Sequence, residues 1–363
     1  RTMVYIYLFI LVLSIASGWA MLWHTPKLAL REKMQKQKKQ VSIIIPARNE
    51  EKNLPILLAS VQKQTYKPLE ILVIDDYSED QTAQVAREYG ATVVQVQRDE
   101  REWFGKAAAC WYGAQAAAGD TFLFLDADIF FPGSDSLERM IANFQEESVL
   151  SIQPYHTIRK SYENFSVIFN ILVLAGMNQF SILGKRLPAA GAFGPTLLCS
   201  RSAYFQVGGH KRVRHNIMEN IALGQIFIEQ EFPVQLYSGK DVLHFRMYPD
   251  GIAHLFEGWS KSFASGSVAT HLFIMICSGL WISGAFISGL YLIFSGFQLL
   301  AWFGYFAFFL SFLRMARTAG NFSVLLAFLY PLLFLYCVCV FIWSAIKTFV
   351  LKSVSWKGRK IEL

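Results

Sequence analysis

The sequence is poor in charged side chains, and this shortage excludes several classes of protein. Only 17% of its 363 residues are Asp, Glu, Lys or Arg, against about 25% in an ordinary soluble domain, whereas 53% are hydrophobic. A disordered chain would combine low hydrophobicity with high charge. The composition therefore indicates a folded protein that contains segments apolar enough to enter a lipid bilayer.

Several common site patterns are also missing. The five cysteines follow neither the spacing of a disulfide framework nor that of a zinc site, so we expect a reduced protein that faces the cytoplasm. The sequence contains neither the P-loop pattern Gly-x-x-x-x-Gly-Lys-Ser/Thr nor the dinucleotide pattern Gly-x-Gly-x-x-Gly. Its net charge of +7 comes without a basic and aromatic module, so we expect no nucleic-acid partner.

Long apolar runs lie at both ends of the chain. The run from Met3 to Trp23 is followed by a basic segment over residues 25–40, which predicts an N-terminal transmembrane anchor (residues 1–24) that leads into the cytoplasm. A cleaved signal peptide fits less well, since its basic residues would precede the apolar run. Residues 266–350 contain two or three further transmembrane or re-entrant runs, and a basic tail follows over 351–363. We predict a multi-pass protein of the cell (plasma) membrane with a cytoplasmic central domain in contact with membrane lipids.

Residues 41–265 have the composition of one globular domain in which short apolar strands alternate with helical patterns. Strands are predicted at 41–45, 70–74, 92–96 and 121–125, and helices at 49–64, 80–89 and 106–118. This order is typical of an α/β domain with a mostly parallel sheet, in which ligands bind beyond the carboxyl ends of the strands. The apolar stretch 165–184 is expected to form either a buried helix or an interfacial one.

Acidic residues follow the predicted strands. Asp75 and Asp76 follow the second strand, and Asp126 and Asp128 follow the strand at 121–125. Residues at positions i and i+2 of an extended chain point the same way, so Asp126 and Asp128 can converge on one ligand or cation. Carboxylate oxygens without His or Cys suit Mg²⁺ or Mn²⁺, ions that bind together with phosphates. The pattern predicts a nucleotide site held by strand-end acids and a divalent metal.

Four segments together carry a resemblance to a known family: Val41 to Glu51, Ile74-Asp-Asp-Tyr-Ser-Glu-Asp80, Trp103-Phe-Gly-Lys106 and Phe124-Leu-Asp-Ala-Asp128. They resemble an inverting family 2 glycosyltransferase with a GT-A fold, which is a Rossmann-like domain. Segments downstream, such as Gly208-Gly-His210 and Glu257-Gly-Trp259, are similar to membrane members of that family that glucosylate a C30 carotenoid acid.

The resemblance implies roles for individual residues. The pocket for a UDP-sugar donor would be lined by Pro46, Glu50, Asp75, Asp76, Lys106 and Asp126. Asp128, with Asp126 beside it, would hold the divalent metal that bridges the UDP phosphates. The metal would stabilise the negative charge that develops on the departing diphosphate.

The general base of the family is an Asp in a Glu-Asp motif, and here the match is Met218-Glu219-Asn220, without the Asp. Glu219 is one candidate for the base. Alternatively, an acid acceptor with a pKa near 4 is already ionised at neutral pH and needs no strong base. A third interpretation is that Glu219 and Asn220 cap a helix over residues 221–229.

Four further residues are candidates for binding the acceptor or phosphate: Trp259, Lys261, Arg246 and His210. Trp259 is all that remains of the Gln-x-x-Arg-Trp motif of processive polysaccharide synthases, which argues against a polymer product. For Trp259, packing is an equally good interpretation, and for His210 a structural role is the simpler one.

The sequence thus predicts an enzyme that moves a hexose, expected to be glucose, from a UDP-sugar to a hydrophobic membrane acceptor. The resemblance favours the carboxylate of a carotenoid acid, with ceramide, diacylglycerol or polyprenyl phosphate as alternative acceptors. A membrane scaffold that retains the fold without catalysis is the alternative of another class.

Overall fold

The computed structural model describes residues 2–29, 39–96, 103–216, 218–260, 267–347, 353–356 and 359–362. Lys261 and most of the basic segment 25–40 lie outside the described residues. The chain forms two compact units. The apolar-helix unit comprises Arg1–Thr25, His156–Ala190 and Met247–Leu363, and the sheet unit comprises Pro26–Tyr155 and Gly191–Arg246. Residues 156–190 and 247–260 group with the apolar-helix unit by their contacts, and the domain bounds 41–265 stay a prediction.

The strands are β1 (Val41–Ala47), β2 (Glu70–Asp75), β3 (Thr92–Gln95), β4 (Thr121–Leu125), β5 (Ile129–Phe130), β6 (Val149–Gln153), β7 (Tyr155–His156), β8 (Thr196–Ser200), β9 (Val234–Ser238), β10 (His244–Phe245), β11 (Ser353–Trp356) and β12 (Arg359–Glu362). The helices are α1 (Thr2–Met21), α2 (Leu54–Gln62), α3 (Thr82–Glu88), α4 (Lys106–Ala116), α5 (Ser136–Asn143), α6 (Val167–Gly176), α7 (Arg201–Gln206), α8 (Gly209–Arg212), α9 (Glu219–Glu229), α10 (Ile252–Ser260), α11 (Leu272–Phe294), α12 (Leu299–Ala319), α13 (Val324–Phe328) and α14 (Tyr330–Ala345).

The centre of the sheet unit is a seven-stranded sheet with the order β3-β2-β1-β4-β8-β6-β9. Strand β1 runs parallel to β2 and β4, and β2 runs parallel to β3, whereas β8 runs antiparallel to β4. The carboxyl ends of β1, β2 and β4 and the amino end of β8 therefore meet at one edge. The predicted α/β class with a mostly parallel sheet is confirmed. A second sheet, with the order β5-β10-β7, follows β4 along the chain.

The central strands are buried because they are apolar on both faces. Every residue of β4 is buried, and β1 places Ile43, Ile44 and Ile45 in the core. Helix α4 packs closely on β1 at Gly113, where a Cβ atom would come within 2.5 Å of the Ile44 side chain. Strands that are covered on both faces by crossover helices have this composition.

Among the residues of the apolar-helix unit that the structure describes, three helices are long and apolar enough to cross a membrane, namely α1, α11 and α12. Helix α14 is also apolar but shorter, with 16 residues. The stretch predicted as one helix over 165–184 is instead a 3₁₀ turn (Ser161–Ser166), α6 and a turn region. Most residues of α6 are buried, as the buried alternative expects, and an interfacial role for this stretch stays a prediction.

Candidate active site

The sheet edge gathers the predicted acids of β2. Asp76 continues the β2 pairing, since its backbone N–H donates to the carbonyl of Ala47 at 2.9 Å. The Asp75 carboxylate accepts from the backbone N–H of Ser78 at 3.0 Å, and the Asp76 carboxylate accepts from that of Gly105 at 3.2 Å. Both side chains are buried. These bonds hold the two carboxylates in place at the carboxyl end of β2.

Lys106 stands at the centre of the site. It is the first residue of α4, and Gly105 before it has a φ of 94°, a conformation that glycine adopts without strain. The Lys106 Nζ lies 2.7 Å from Asp126 Oδ1 and 3.2 Å from Glu219 Oε1, and it donates to the carbonyl of Gly194 at 2.8 Å. Burial alone would lower the pKa of Lys106, but the charges of Asp126 and Glu219 raise it above its ordinary value. Lys106 therefore stays cationic.

Asp126 and Asp128 flank the turn between β4 and β5. The backbone N–H of Asp126 donates to the Pro195 carbonyl at 3.1 Å, which ties the end of β4 to the start of β8. Burial, followed by the negative charges of Asp126 and Glu50, raises the pKa of Asp128 to about 8, against an opposing effect of Lys106. The site thus concentrates more negative charge than Lys106 balances.

This charge distribution suits a divalent metal. Among the residues that the structure describes, no three His, Cys, Asp or Glu side chains are arranged to hold a metal on their own. Mg²⁺ commonly binds one or two protein carboxylates together with substrate phosphates. The carboxylates of Asp126 and Asp128 fit that donor set, and a bound dication would neutralise the charge that raises the pKa of Asp128.

The structure brings Glu50, Pro46 and Arg246 to the same edge. Pro46 pairs with Ile74 near the ends of β1 and β2, and the charge of Glu50 acts on Asp128. Asn53 donates to the Glu50 carboxylate at 2.7 Å. Arg246 follows β10, and its backbone N–H donates to the carbonyl of Asp128 at 3.4 Å.

Glu219 and Asn220 have different surroundings although they are neighbours. Glu219 is the first residue of α9 and pairs with Lys106. The Asn220 side chain is 3% exposed and donates to the carbonyls of Phe193 (3.3 Å) and Gly194. The helix begins two residues earlier than predicted, its N-cap is Met218, and no side chain caps it. The helix-capping interpretation of Asn220 is therefore wrong.

The surroundings of His210 agree with the structural interpretation and do not support its candidate role in binding an acceptor or phosphate. Its side chain has no exposed surface, Nδ1 accepts from the Tyr204 hydroxyl at 2.9 Å, and Nε2 donates to Asn220 Oδ1 at 3.0 Å. Burial, together with the charge of Lys106 and against the Asn220 bond, lowers the pKa of His210 to about 3. The imidazole is neutral and both of its nitrogens are used within the core.

Sequence reasoning missed Tyr204 and Gly194 as parts of this site. The sequence signals were the segment Ala192-Phe-Gly-Pro195, which contains Gly194, and the pair Gly208-Gly209. In the structure a Cβ atom on Gly209 would lie 2.5 Å from the Tyr204 ring. That contact shows that the glycine permits close packing of α8 on the aromatic ring.

Trp259 lies in the apolar-helix unit and is buried there. Its ring stacks on Phe169 with centroids 4.7 Å apart, and its Nε1 donates to Ser166 Oγ at 3.0 Å. These contacts agree with the packing interpretation of Trp259. The other candidate of this region, Lys261, lies outside the described residues.

Comparison with known proteins agrees with this geometry. Residues 42–208 match the family described as Glycosyl transferase family 2. The chain is 40% identical over 334 residues to the 4,4'-diaponeurosporenoate glycosyltransferase of Staphylococcus aureus strain USA300, with 90% of this chain and 89% of the relative covered. It is equally similar, at 40% over 337 residues, to the enzyme of the same name from S. aureus strain MRSA252.

Among solved structures, the fold is similar to that of the mannosyltransferase PcManGT from Pyrobaculum calidifontis, in complex with GDP-Man and Mn²⁺. The TM-score is 0.54 at 16% identity, and the match covers 94% of this chain and 99% of that one. This likeness supports a GT-A-like mixed α/β fold. Taken with the extended identity to the S. aureus enzymes, these findings show that the chain belongs to glycosyltransferase family 2 and is a glycosyltransferase of the carotenoid-biosynthesis type.

Proposed function

We propose that this protein transfers a hexose, in the first instance glucose, from a UDP-sugar to the carboxylate of a C30 carotenoid acid, with inversion at the sugar carbon. The observation that carries the proposal is the 40% identity, over 90% of the chain, to 4,4'-diaponeurosporenoate glycosyltransferase. The product would be a glucosyl ester. Three helices able to span a membrane suit an acceptor dissolved in lipid and a location in the plasma membrane with the sheet unit in the cytoplasm.

The site residues support this reaction in separate roles. Asp75 and Asp76, which accept from backbone N–H groups, would accept hydrogen bonds from uracil or ribose, with Pro46 and Glu50 lining the same pocket. Asp126 and Asp128 would hold Mg²⁺ or Mn²⁺, which supplies positive charge next to the leaving diphosphate. Lys106 adds a fixed cation at the same place, and its contacts with Asp126 and Glu219 orient it.

Inversion requires the acceptor oxygen to approach the sugar carbon from the side opposite the diphosphate. Glu219, which lies 3.2 Å from Lys106 Nζ, is the side chain that would receive the proton if the acceptor is a hydroxyl. Arg246, next to the carbonyl of Asp128, is a candidate to bind an acceptor carboxylate.

The test is a transfer assay with membranes that contain the full chain, UDP-glucose, Mn²⁺ and a C30 carotenoid acid, with products identified by mass spectrometry. We expect a glucosyl ester, and we expect EDTA or Asp128→Asn to lower transfer by about 100-fold or more. Glucosylated ceramide, diacylglycerol or polyprenyl phosphate would instead assign another acceptor. If no donor and acceptor pair releases nucleotide, a scaffold without catalysis is the better account.

A further inference from the structure

In the resemblance described above, Asn220 stands where the Glu-Asp motif would have its Asp, and in the structure the Asn220 side chain is hydrogen-bonded through both its oxygen and its nitrogen. Oδ1 accepts from His210 Nε2 at 3.0 Å, and Nδ2 donates to the carbonyls of Phe193 and Gly194. The orientation of the Asn220 amide follows from its partners. The carbonyl oxygens of Phe193 and Gly194 can only accept hydrogen bonds, so they must face the NH₂ group of Asn220. Nothing in this arrangement leaves Asn220 available to a substrate.

The same hydrogen bonds reach the centre of the site. The Gly194 carbonyl accepts from both Asn220 and Lys106, so Asn220 fixes the position of an acceptor that orients Lys106. His210 holds the other end of Asn220, and the Tyr204 hydroxyl in turn holds His210. This buried chain of side chains leads from the core of the sheet unit to the cation between Asp126 and Glu219.

Close packing keeps α9 in the position that these bonds need. A Cβ atom on Gly224 would lie 2.2 Å from the backbone nitrogen of Ala192, and one on Gly191 would lie 2.2 Å from the carbonyl oxygen of Ile221. The helix and the segment that carries Phe193 and Gly194 therefore touch along their backbones. Asn220 is held by this contact as well as by its own hydrogen bonds.

We propose that Asn220 is a positioning residue that fixes Gly194 and Lys106, and that the site acts on an acceptor whose nucleophilic oxygen is already ionised. This inference rests on the proposed function, since a carboxylic acid is such an acceptor. The carboxylate oxygen forms a bond to the anomeric carbon as the bond from that carbon to the diphosphate oxygen breaks. The electron pair leaves with UDP, and no proton is transferred, so position 220 needs no base.

The discriminating experiment restores the family residue with the variant N220D. An ionised carboxylate at this position has no donor and places an oxygen against the carbonyls of Phe193 and Gly194, and a protonated carboxyl has one donor and can bond to only one of the two. We expect kcat to fall by about 10- to 100-fold, with a smaller change in the KM for UDP-glucose, the usual range for loss of a residue that orients site groups. The matched control is N216D, which is the same substitution at an exposed position.

The outcomes separate a positioning role of residue 220 from a role as the general base. A kcat for N220D equal to or above that of the wild type would mean that an Asp serves there as a base, and would overturn the assignment. Loss of kcat with an unchanged unfolding temperature supports it.

A second measurement needs no variant. The wild type should transfer to the carotenoid acid at a rate that varies little between pH 6 and 8, and it should not transfer to the corresponding alcohol. Equal transfer to the alcohol would overturn the ionised-acceptor part of the inference. Failure of the wild type to transfer to any acceptor would contradict the proposed function instead. The positioning role would then be tested by the binding of UDP-glucose with Mn²⁺. Weaker binding to N220D than to N216D supports the role, and equal binding contradicts it.

Discussion

At the scale of single residues, His210 has a consequence for stability, because its imidazole is buried in the neutral form. Its pKa is lowered to about 3, chiefly by burial, whereas an imidazole in the unfolded chain titrates near 6.5. Below pH 6.5 the unfolded chain takes up a proton that the folded chain does not. The contribution of His210 to stability is therefore complete above pH 6.5 and is lost as the pH falls toward 3.

We expect the titration of His210 to lower the free energy of unfolding by about 2 kcal/mol between pH 7.5 and pH 5. The loss occurs over roughly 1.5 pH units below pH 6.5, at about 1.4 kcal/mol for each unit. The variant His210→Gln removes the titration, so its stability should fall less over the same range, even if it is less stable at pH 7.5. Urea unfolding of the detergent-solubilised protein at the two pH values measures this difference. His215→Gln, at an exposed position, is the control and should retain the wild-type dependence. An identical pH dependence of wild type and His210→Gln would contradict the assignment.

The acids of the site could be predicted from sequence because their position follows directly from strand order. Asp75 is the last residue of β2, Asp76 and Asp126 come immediately after β2 and β4, and parallel strands end at the same edge of the sheet. A structural role for His210 was the simpler prediction, but the hydrogen bonds that join His210 to Asn220 and Asn220 to Gly194 could not be predicted in this way. They depend on which face of α9 meets Gly194, and that is decided by the approach of two backbones rather than by any short motif.

At the scale of elements, α1 packs against α11 and α12 through glycines. A Cβ atom on Gly284 of α11 would lie 2.0 Å from Ser14 Oγ, and one on Gly304 of α12 would lie 2.0 Å from the Tyr7 hydroxyl. Small residues let apolar helices approach closely, which is how helices associate within a bilayer. The absence of a side chain at these positions is therefore a packing requirement.

Gly284→Ala should destabilise the protein, whereas Gly279→Ala on the same helix should not. Adding a methyl group at Gly284 forces it into Ser14, and overpacking of this kind destabilises by about 1–3 kcal/mol. Gly279 is exposed, and a Cβ atom on it would have no atom within 4 Å. Alanine at this position therefore only improves the helix propensity. Thermal unfolding in detergent, followed by size-exclusion chromatography, compares the two variants. Equal unfolding temperatures would show that α1 does not pack on α11 through this glycine.

The elements themselves were largely predictable, and their ends were not. The four predicted strands match β1 to β4 within two residues, because short apolar runs between turns leave little choice. Helix α2 begins at Leu54 rather than at residue 49, since Asn49 adopts a positive φ of 54° and the chain turns before the helix starts. Such a turn depends on tertiary bonds, among them that from the Asn49 N–H to Ser78 Oγ.

At the scale of the whole molecule, the charges suggest how the apolar-helix unit crosses the membrane. The Arg314 guanidinium lies 3.6 Å from the Trp19 ring centroid and donates to the Leu22 carbonyl at 3.0 Å. The last turns of α1 and α12 therefore lie side by side. The basic segment 25–40 follows α1, and basic residues remain on the cytoplasmic side. The C-terminal ends of α1 and α12 should therefore both face the cytoplasm.

This arrangement predicts the side of the C-terminal tail. Helix α11 would leave the cytoplasm and α12 would return to it. Helix α14 has 16 residues. At about 1.5 Å per residue it is shorter than the hydrocarbon thickness of about 30 Å, so it would not cross in full. The basic tail 351–363 should then lie on the cytoplasmic side with the sheet unit. Alkaline phosphatase fused after residue 363 should be inactive, and green fluorescent protein fused at the same place should be fluorescent. Alkaline phosphatase inserted at 295–298, between α11 and α12, should be active because that loop would lie on the other side of the membrane. Active phosphatase after residue 363 would mean that α14 crosses in full and that the charge rule fails at this end of the protein.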